Sequence, residues 1–179
     1  MTHEDILTFW FDDLKPAQWF KSSPELDRLV CDRFGALHAA ARLSELDHWR
    51  GGPRGRLAEV IVLDQFSRHI HRGSALAFQS DSLALALAQT AVALGQDQAL
   101  EPRLRAFLYM PYMHSESRQI HQDAVRLFAA PGLEDNLASE LRHKAVIDRF
   151  GRFPHRNAAL GRTSTPEEIA FLQSPGSRF

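Results

Sequence analysis

Apolar residues recur every three or four positions along most of the chain, in runs that are each short enough to form a single helix. Such spacing places the apolar side chains on one face of an α-helix. Leu26, Val30, Phe34 and Ala41 follow this pattern in one of the runs. No window of five residues has the alternation of apolar and polar side chains that is typical of a β-strand. The sequence therefore predicts an all-α fold.

Capping residues, prolines and glycines divide the chain into about seven to nine short helices. Residues 23–25 place a serine, a proline and a glutamate at the start of one helix, and residues 165–168 form a capping box with proline at the first helical position. A longer helix is predicted from about residue 53 to residue 71, with Gly73 as its stop. Because the connections are short, we expect packed antiparallel helix pairs.

Two local expectations concern helix ends. Pro111 lacks the backbone N–H that an α-helix needs, so it is predicted to kink or end the helix that contains Phe107. The tail from residue 174 to residue 179 is predicted to be irregular, with Phe179 as the side chain that could dock on the rest of the protein.

Composition and charge exclude several classes of protein. The chain of 179 residues has no linker-like stretch, which predicts one helical domain over residues 1–179. A formal net charge of −1 argues against nucleic acid and membrane surfaces as partners. The single cysteine, Cys31, cannot form an internal disulfide and suits a reducing compartment. Residues 1–14 lack the pattern of a signal peptide and no apolar stretch is long enough to span a bilayer, so a cytoplasmic location is expected.

The segment from residue 140 to residue 162 concentrates positive charge, and only Glu140 and Asp148 oppose it. Its basic residues and histidines are Arg142, His143, Lys144, Arg149, Arg152, His155, Arg156 and Arg162. Phe150 and Phe153 lie among them and require burial, while Gly151 interrupts any helix. Arginines beside buried aromatic rings in an irregular segment need carboxylates of the same protein, helix C-termini or an anionic ligand as partners.

Asp64, Gln65 and Arg68 form the first candidate for a site. Asp64 and Arg68 lie one helical turn apart, so they can pair along the helix. Because apolar residues surround Asp64 in the sequence, its carboxylate is expected to point inward, where an unpaired charge is costly. The basic segment is one source of a cationic partner. These residues are expected either to form a structural ion pair or to belong to a ligand site.

His114, Ser115 and Glu116 form the second candidate. Adjacent residues do not share a face of a helix, which argues against a catalytic triad made from these three. His114 and Glu116 are expected either to line a pocket or to cap the end of a helix. A proline-fixed turn over residues 152–157 is the third candidate, since it presents arginine, histidine and asparagine either to a phosphate or carboxylate or to internal ion pairs.

Metal-ligand spacing gives a remote alternative. Residues 45–48 and 140–143 both have the spacing Glu-x-x-His, and Glu59 and Glu116 are further glutamates. Two such motifs and two glutamates on helices are the ligand set of a di-iron carboxylate bundle. The motif arises easily by chance in a chain with 9 histidines and 22 acidic residues. The sequence therefore predicts no cofactor and no metal, with the di-iron protein as the remote alternative.

Three blocks of sequence together resemble the bacterial domain-of-unknown-function family numbered 924. They are IVLDQFSRHIHRG at 61–73, FLYMPYMHSES at 107–117 and RFGRFPHRNAALGRTSTPEE at 149–168, with ILTFWF at 6–11 near the start. The resemblance covers essentially the whole chain. It implies a tetratricopeptide-like, right-handed superhelix of helix pairs, and it implies no activity.

The resemblance also carries a set of polar motif residues. In this chain they are Asp64, Gln65, Arg68, Arg72, His114, Ser115, Glu116, Gln122, His143, Arg149, Arg152, His155, Arg156, Asn157 and Arg162. The chain departs from the family pattern at His69, His71 and His121, which makes these three histidines weak candidates for a shared site.

Two functions are open on this basis. In the first, an Arg/His/Asn-lined pocket binds a small anionic molecule. Its predicted ligand-binding residues are Asp64, Gln65, Arg68, His114, Glu116, Arg149, Arg152, His155, Arg156, Asn157 and Arg162. His114, His155 and Glu116 are the candidates for acid–base chemistry, since histidine titrates near neutral pH. Whether a reaction occurs is left open.

In the second function, the protein is a tetratricopeptide-like interaction module. Its groove would bind a peptide or a partner helix, and the arginines would form a structural network with carboxylates. The apolar segment at residues 6–11 packs either within its own chain or against another copy, so a homodimer is one expectation. A closed pocket of a few hundred Å³ would favour the small anionic molecule, and an extended groove would favour the peptide.

Overall fold

The computed structural model describes residues 1–21 and 23–177, so Phe179 lies outside the described residues. The α-helices are α1 (His3–Thr8), α2 (Pro16–Phe20), α3 (Pro24–Arg42), α4 (Pro53–Ile61), α5 (Ser67–Ile70), α6 (Asp81–Ala93), α7 (Pro102–Met113), α8 (Arg118–Phe128), α9 (Glu134–Phe150) and α10 (Pro166–Leu172). Single π-helical turns cover Phe9–Asp13 and Val62–Phe66. Short 3₁₀ turns cover Asp47–Trp49, Ala75–Phe78, Gln96–Ala99 and Pro154–Arg156.

The predicted all-α fold is confirmed. Residues 1–21 and 23–177 contain no β-strand. These described residues contain nine separate helices, because α4 and α5 are joined without a break by a π-helical turn and count as one. The consecutive helices α6, α7, α8 and α9 each contact the next along the chain. The tetratricopeptide-like superhelix stays a prediction, as does the single domain over residues 1–179. In the described part of the chain, no helix has both the length and the apolar character needed to cross a bilayer.

Helix starts follow the capping chemistry of the sequence. The Thr2 hydroxyl accepts a hydrogen bond from the backbone N–H of Asp5, and the Asp5 carboxylate accepts one from the backbone of Thr2, which completes a capping box. Ser23 caps α3 in front of its first-turn proline. Thr165 and Glu168 form the same reciprocal pair at the start of α10. The predicted starts of α3 and α10 are therefore confirmed.

The helix at the centre of the fold runs from Pro53 to Ile70 through the π-helical turn. It contacts α1, α3, α6 and α7. Its residues from Leu57 to Ser67 are all buried, including the charged Glu59 and Asp64. A helix surrounded on every side has no solvated face on which to place charged side chains. The carboxylates of this helix must consequently find their partners inside the protein.

Two helix ends decide where the polar segments lie. Helix α7 continues through Pro111 to Met113, and His114 follows directly as the C-terminal cap. Of the two predicted effects of the proline, an end of the helix at Pro111 is therefore excluded, and a kink stays a prediction. Helix α9 ends at Gly151, whose φ of +70° is a conformation that a residue with a side chain rarely adopts. This turn sends the segment from residue 152 to residue 162 back toward the end of α7.

The main hydrophobic core gathers side chains from α1 through α9. Its centre is aromatic: Trp10 has ring contacts with Phe66 and with Phe107, and Phe9 has ring contacts with Phe34 and Phe66. A smaller cluster of Val146, Ile147 and Phe153 lies under the returning segment, with Phe150 and Phe171 packed against it. The returning segment is thus anchored by apolar burial as well as by charge.

The close approach of α4 to residue 49 yields a stability prediction. A β-carbon added at Gly55 would lie 1.9 Å from the Trp49 carbonyl oxygen, so Gly55→Ala forces the two backbones apart. We expect it to lower the free energy of unfolding by about 1–3 kcal/mol. At Gly35, inside α3, nothing lies within 4 Å of an added β-carbon. Gly35→Ala should therefore raise stability by about 0.5–1 kcal/mol, and chemical denaturation of both variants checks the difference in sign.

Candidate functional site

A cavity of about 640 Å³ opens where the π-helical turn, the end of α7, helix α9 and the returning segment meet. This volume is in the range of small-molecule sites. The residues that line it are Trp19, Phe20, Lys21, Gln65, Arg68, His69, Arg72, Gly73, Ala77, Phe78, Met110, Met113, His114, Asn136, Ser139, Arg142, His143, His155 and Arg156.

The polar lining of the cavity is cationic and imidazole-rich. Five of the lining residues are lysine or arginine and four are histidine, and none of the described lining residues is an aspartate or glutamate. The acids that balance part of this charge lie behind the wall: Asp27 pairs with Arg72 at 2.6 Å, and Asp64 and Asp81 pair with Arg68 at 3.2 and 3.0 Å. The wall therefore presents hydrogen-bond donors of positive charge to whatever occupies the cavity.

Asp64 lies at the bottom of the site and is 1% exposed. Its Oδ1 accepts a hydrogen bond from His114 Nδ1 at 2.8 Å, and its Oδ2 accepts one from Gln65 Nε2 at 2.5 Å. Burial acts to raise the pKa of Asp64, but the Arg68 guanidinium and His114 outweigh it and hold this pKa below the usual range. Asp64 is therefore ionised in the folded protein.

Asp81 is the second carboxylate, and two arginines share it. Arg68 donates from Nη1 and Nη2 to the two oxygens of Asp81 at 3.0 and 3.1 Å. Arg156 donates from Nη1 to Asp81 Oδ2 at 3.2 Å. Arg68 also donates to the backbone carbonyl of Asp64 at 2.7 Å. Two carboxylates and two guanidinium groups thus form one connected and balanced network.

Arg156 is the most enclosed cation of the cavity wall, with 6% of its surface exposed. Its guanidinium lies between the rings of Phe78 and Phe153, 4.7 and 4.6 Å from their centroids. Its Nη2 donates to the backbone carbonyl of His114 at 3.0 Å, while its Nε is buried with no hydrogen-bond partner among the described residues. Burial, with the charge of Arg68, lowers the pKa of Arg156 to about 10, so the side chain keeps its charge near neutral pH.

His114 is oriented by Asp64. Because the Asp64 carboxylate is ionised, the Nδ1 of His114 must donate in their 2.8 Å hydrogen bond. Burial lowers the pKa of His114, and the opposing effect of Asp64 does not cancel this shift. His114 is therefore neutral near pH 7 with its proton on Nδ1. Its Nε2 is the ring nitrogen that is left to accept a proton or a hydrogen bond.

Two of the three other histidines in the cavity wall are His143 and His155. His143 on α9 donates from Nδ1 to the backbone carbonyl of Ser139 at 2.8 Å when its ring is neutral. Burial lowers the pKa of His143 to about 3. Burial and the nearby charge of Arg156 lower the pKa of His155 to about 4. Both rings are consequently neutral near pH 7, so the positive charge of the cavity comes from arginine and lysine.

The structure divides the eleven predicted ligand-binding residues into two groups. At the cavity it brings together Asp64, Gln65, Arg68, His114, His155 and Arg156. Outside the cavity it places Glu116, Arg149, Arg152, Asn157 and Arg162, which hold the returning segment and the last helix through ion pairs and hydrogen bonds.

Glu116 and Arg162 form the centre of this second group, which we call the C-terminal clasp. Arg162 donates two hydrogen bonds to the Glu116 carboxylate at 2.6 and 2.9 Å and a third to the Phe153 carbonyl at 3.1 Å. The Glu116 carboxylate also accepts from the backbone N–H of Phe153 at 2.7 Å. These bonds leave Glu116 engaged in fixing the loop that carries Arg156.

The rest of the clasp ties α10 to the loop. Arg152 donates to both oxygens of Glu168 at 2.7 and 2.8 Å, and Asn157 donates to Glu168 Oε2 at 3.2 Å. The hydrogen bonds from Arg152 and Thr165 lower the pKa of Glu168 to about 2. Arg149 pairs with the exposed Glu167 on the surface.

The di-iron alternative receives no support from the geometry. No group of three or more histidine, cysteine or acidic side chains within residues 1–21 and 23–177 could hold a metal ion. Glu59 pairs with Arg50 at 2.6 Å, Glu140 bonds to His121 at 2.6 Å, and His48 is exposed. Glu59 and Glu140, two of the glutamates that the spacing suggested as ligands, thus have other partners.

The cavity also contains residues that the sequence analysis did not assign to it. Asp81 has the position of a helix-starting acid, and only the tertiary structure reveals that it bridges two arginines. His69 lines the cavity although its departure from the family pattern made it a weak candidate. Arg142 was visible as part of the basic segment, and Phe78 gave no signal in the sequence.

Comparisons with known proteins place these features in a family context. The model of the family described as "Bacterial protein of unknown function (DUF924)" matches residues 6–176. A solved structure titled "Structure of Protein of Unknown Function ATU0120 from Agrobacterium tumefaciens" is 39% identical, covers 96% of each chain and has a TM-score of 0.90. No curated protein matches the chain.

Removing the shared carboxylate tests the charge network. Asp81→Asn leaves Arg68 and Arg156 with Asp64 as their one remaining carboxylate in the network, so one buried positive charge is uncompensated. We expect a loss of about 3 kcal/mol and a fall in Tm of roughly 6–12 °C. Asp148→Asn is the control, since its exposed pair with Lys144 is worth about 0–1 kcal/mol. Equal melting temperatures for the two variants would contradict the role of Asp81.

The clasp yields a prediction on pH. The pKa of Glu168 is about 2 in the folded protein and 4.5 ordinarily, so its ionised form stabilises the fold above about pH 4.5, and this stabilisation is lost as the pH falls toward 2. We expect Glu168→Gln to be less stable than the wild type at pH 6 and the difference to shrink as the pH falls from 5 to 3. Glu167→Gln, on the exposed side of the same helix, should show no such convergence when both are unfolded by urea across this range. A gap between Glu168→Gln and the wild type that stays constant with pH would exclude this assignment.

Proposed function

The chain belongs to the DUF924 family of bacterial proteins of unknown function, and from that premise we propose, on the chemistry of the cavity, that it binds a small anionic ligand. The ligand lies against Arg68, Arg142 and Arg156, with Gln65 and His114 beside them. The observation that carries the proposal is a cavity of about 640 Å³ whose described lining includes five lysine or arginine side chains and no carboxylate.

The charge left after internal pairing supports an anion. Arg68 and Arg156 are balanced by Asp64 and Asp81 behind the wall, but Arg142 has no carboxylate partner in the described part of the chain. The side chain of Arg142 is exposed and bonds to the Ser139 hydroxyl at 3.0 Å, so it can reorient toward a ligand at little cost. Charge-assisted hydrogen bonds from guanidinium groups suit carboxylates and phosphates.

The Nε of Arg156 is a buried donor beside the cavity. A buried donor without a partner costs about 1–3 kcal/mol, so such groups are rare in stable folds. Arg156 is 6% exposed and is held by Asp81, His114 and two aromatic rings, with Nε left over in the described part of the protein. Nε itself has almost no accessible surface, so a ligand oxygen would bond to it only after a shift of the Arg156 side chain.

His114 adds the capacity for proton transfer to the proposed site. Asp64 fixes its tautomer, and the neutral ring leaves Nε2 as an acceptor. A carboxylate that orients a neutral histidine in this way is the arrangement used in general base catalysis. An anion held by the arginines beside His114 could therefore lose a proton from an adjacent hydroxyl or amine group to Nε2.

The interaction-module alternative shares one element with this proposal. Its structural arginine–carboxylate network corresponds to the clasp. We therefore exclude the clasp residues from the proposed ligand contacts; they are Glu116, Arg149, Arg152, Asn157 and Arg162. The proposed ligand set is then Gln65, Arg68, Arg142, His114, His155 and Arg156, with Asp64 as the residue that positions His114. The cavity is partly open to solvent, and its volume of about 640 Å³ is in the range of small-molecule sites, which favours a small molecule.

Direct titration tests the proposal. Inorganic phosphate, succinate and octanoate are titrated against the protein at constant ionic strength, and binding is followed by calorimetry and by tryptophan fluorescence, to which Trp19 in the cavity wall contributes. We expect at least one of them to bind and Arg142→Gln to weaken it by roughly tenfold. Arg149→Gln is the matched control, because it removes an exposed arginine of the same helix outside the cavity. Equal affinities for the two variants, or no binding by any of the three anions, would overturn the proposal.

A further inference from the structure

The cavity wall is apolar as well as cationic, and we infer that the ligand is an amphipathic anion: one carboxylate or phosphate group carried on an apolar chain. This inference rests on the proposed function and specifies the ligand class for the same site. Six of the described lining residues are apolar or aromatic: Trp19, Phe20, Ala77, Phe78, Met110 and Met113. A small hydrophilic anion would leave this surface against water.

Trp19 presents only apolar surface to the cavity. Its single hydrogen-bond donor, Nε1, is used by the backbone carbonyl of Trp10 at 2.8 Å. Its ring lies edge-on to Phe107 with the centroids 5.0 Å apart, which fixes its orientation. A side chain that is rigid and without a remaining donor can contribute contact area to a ligand but no polar recognition.

Phe20 is the least expected apolar residue of the wall. It is 71% exposed, although one face of its ring stacks on Phe107 at 11° between the planes. Most of the exposed aromatic area thus faces the cavity mouth and solvent. A phenylalanine exposed to this degree loses the free energy of burial that such a side chain normally contributes. The chain of an amphipathic ligand would cover this ring.

Met110 and Met113 supply the adaptable part of the apolar wall. Both lie in the last turn of α7 and are 4% exposed, and His114 follows them directly. Methionine side chains are unbranched and polarisable, so they can adjust to ligands of different shape. Met113 precedes His114 in the chain, and the Met110 thioether accepts a hydrogen bond from Gln65 Nε2 at 3.4 Å, so the apolar wall adjoins the polar lining.

The polar end accepts a single anionic group. Arg68 and Arg156 are already balanced by Asp64 and Asp81, so the charge of a ligand is balanced by Arg142, which has no carboxylate partner in the described part of the chain. Phe78 lies against the guanidinium groups of Arg68 and Arg156, at 5.8 and 4.7 Å, and limits the space around them. The proposed ligand places one carboxylate or phosphate beside these arginines. Its chain runs along Met113 toward Trp19 and Phe20 and covers the apolar part of the wall.

A series of chain lengths tests the inference on the intact protein. Butanoate, hexanoate, octanoate and decanoate are titrated below their micelle concentrations at constant ionic strength, with octyl phosphate as the second head group and 1-octanol as the uncharged analogue. We expect affinity to tighten by about fourfold for each added methylene group until the cavity is filled. Octanoate or octyl phosphate should bind at least about tenfold more tightly than 1-octanol. The charged head group that binds more tightly identifies whether the ligand carries a carboxylate or a phosphate.

A pair of surface variants tests whether octanoate binds in the cavity or binds nonspecifically to exposed apolar side chains. Phe20→Ser is expected to weaken octanoate binding by about three- to tenfold and to leave the melting temperature almost unchanged, since the ring is largely exposed. Leu43→Ser is the matched control, because Leu43 is 73% exposed and lies outside the cavity lining. Its affinity for octanoate should equal that of the wild type.

The outcomes distinguish the two proposals. Anions that bind with the same affinity at every chain length, and equally to Phe20→Ser and Leu43→Ser, would overturn the amphipathic ligand and leave the anion site standing. 1-Octanol that binds as tightly as octanoate would overturn the anion site. Failure of every compound in the series to bind would overturn both.

Discussion

The ionised carboxylate of Asp64 constrains the rest of this structure. It lies in a helix that is buried on all sides, where an uncompensated charge would cost several kcal/mol. Arg68, one turn later, compensates this charge. Asp81 provides a second carboxylate, which the network needs because it contains a second buried cation. The network reaches the returning segment through Arg156. One buried charge at the centre thus determines which side chains α6 and the returning segment must present.

The clasp serves the same site although it lies outside the cavity. Arg156 can reach Asp81 only while the loop before it is held against the end of α7. Glu116 and Arg162 supply that restraint, since they bond to the backbone N–H and carbonyl of Phe153. Phe153 in turn packs against the Arg156 guanidinium. Structural ion pairs and proposed ligand contacts are therefore successive layers of one arrangement, and a rigid outer layer keeps the inner arginine in place.

Local chemistry predicted what depends on neighbours in sequence. The starts of α3 and α10 and the pairing of Asp64 with Arg68 follow from capping rules and from i,i+4 geometry. For Pro111 the sequence left a kink and a helix end open, and the helix continues because tertiary packing outweighs the loss of one backbone hydrogen bond. The second role of Asp81 did not follow from the sequence, because it depends on a residue 75 positions away. The sequence also did not predict which arginines of the basic segment belong to the clasp and which line the cavity, since the spacing of arginines does not determine which carboxylates they meet.

A balanced ion network and a ligand site are often treated as alternatives, but the geometry of Arg156 reconciles them. Asp81 and the His114 carbonyl engage its two terminal nitrogens, which neutralises and orients the side chain. Those contacts would be sufficient if Arg156 had only a structural role. In a core optimised for stability alone, a side chain with an unpaired Nε donor would be replaced by an apolar one of similar shape. Retaining a costly buried donor at a cavity is the trade of stability for function that binding sites commonly make. The network neutralises and fixes Arg156, while Arg142 in the same cavity wall has no carboxylate partner in the described part of the chain, so one wall carries both a fixed arginine and an arginine that can meet an anion.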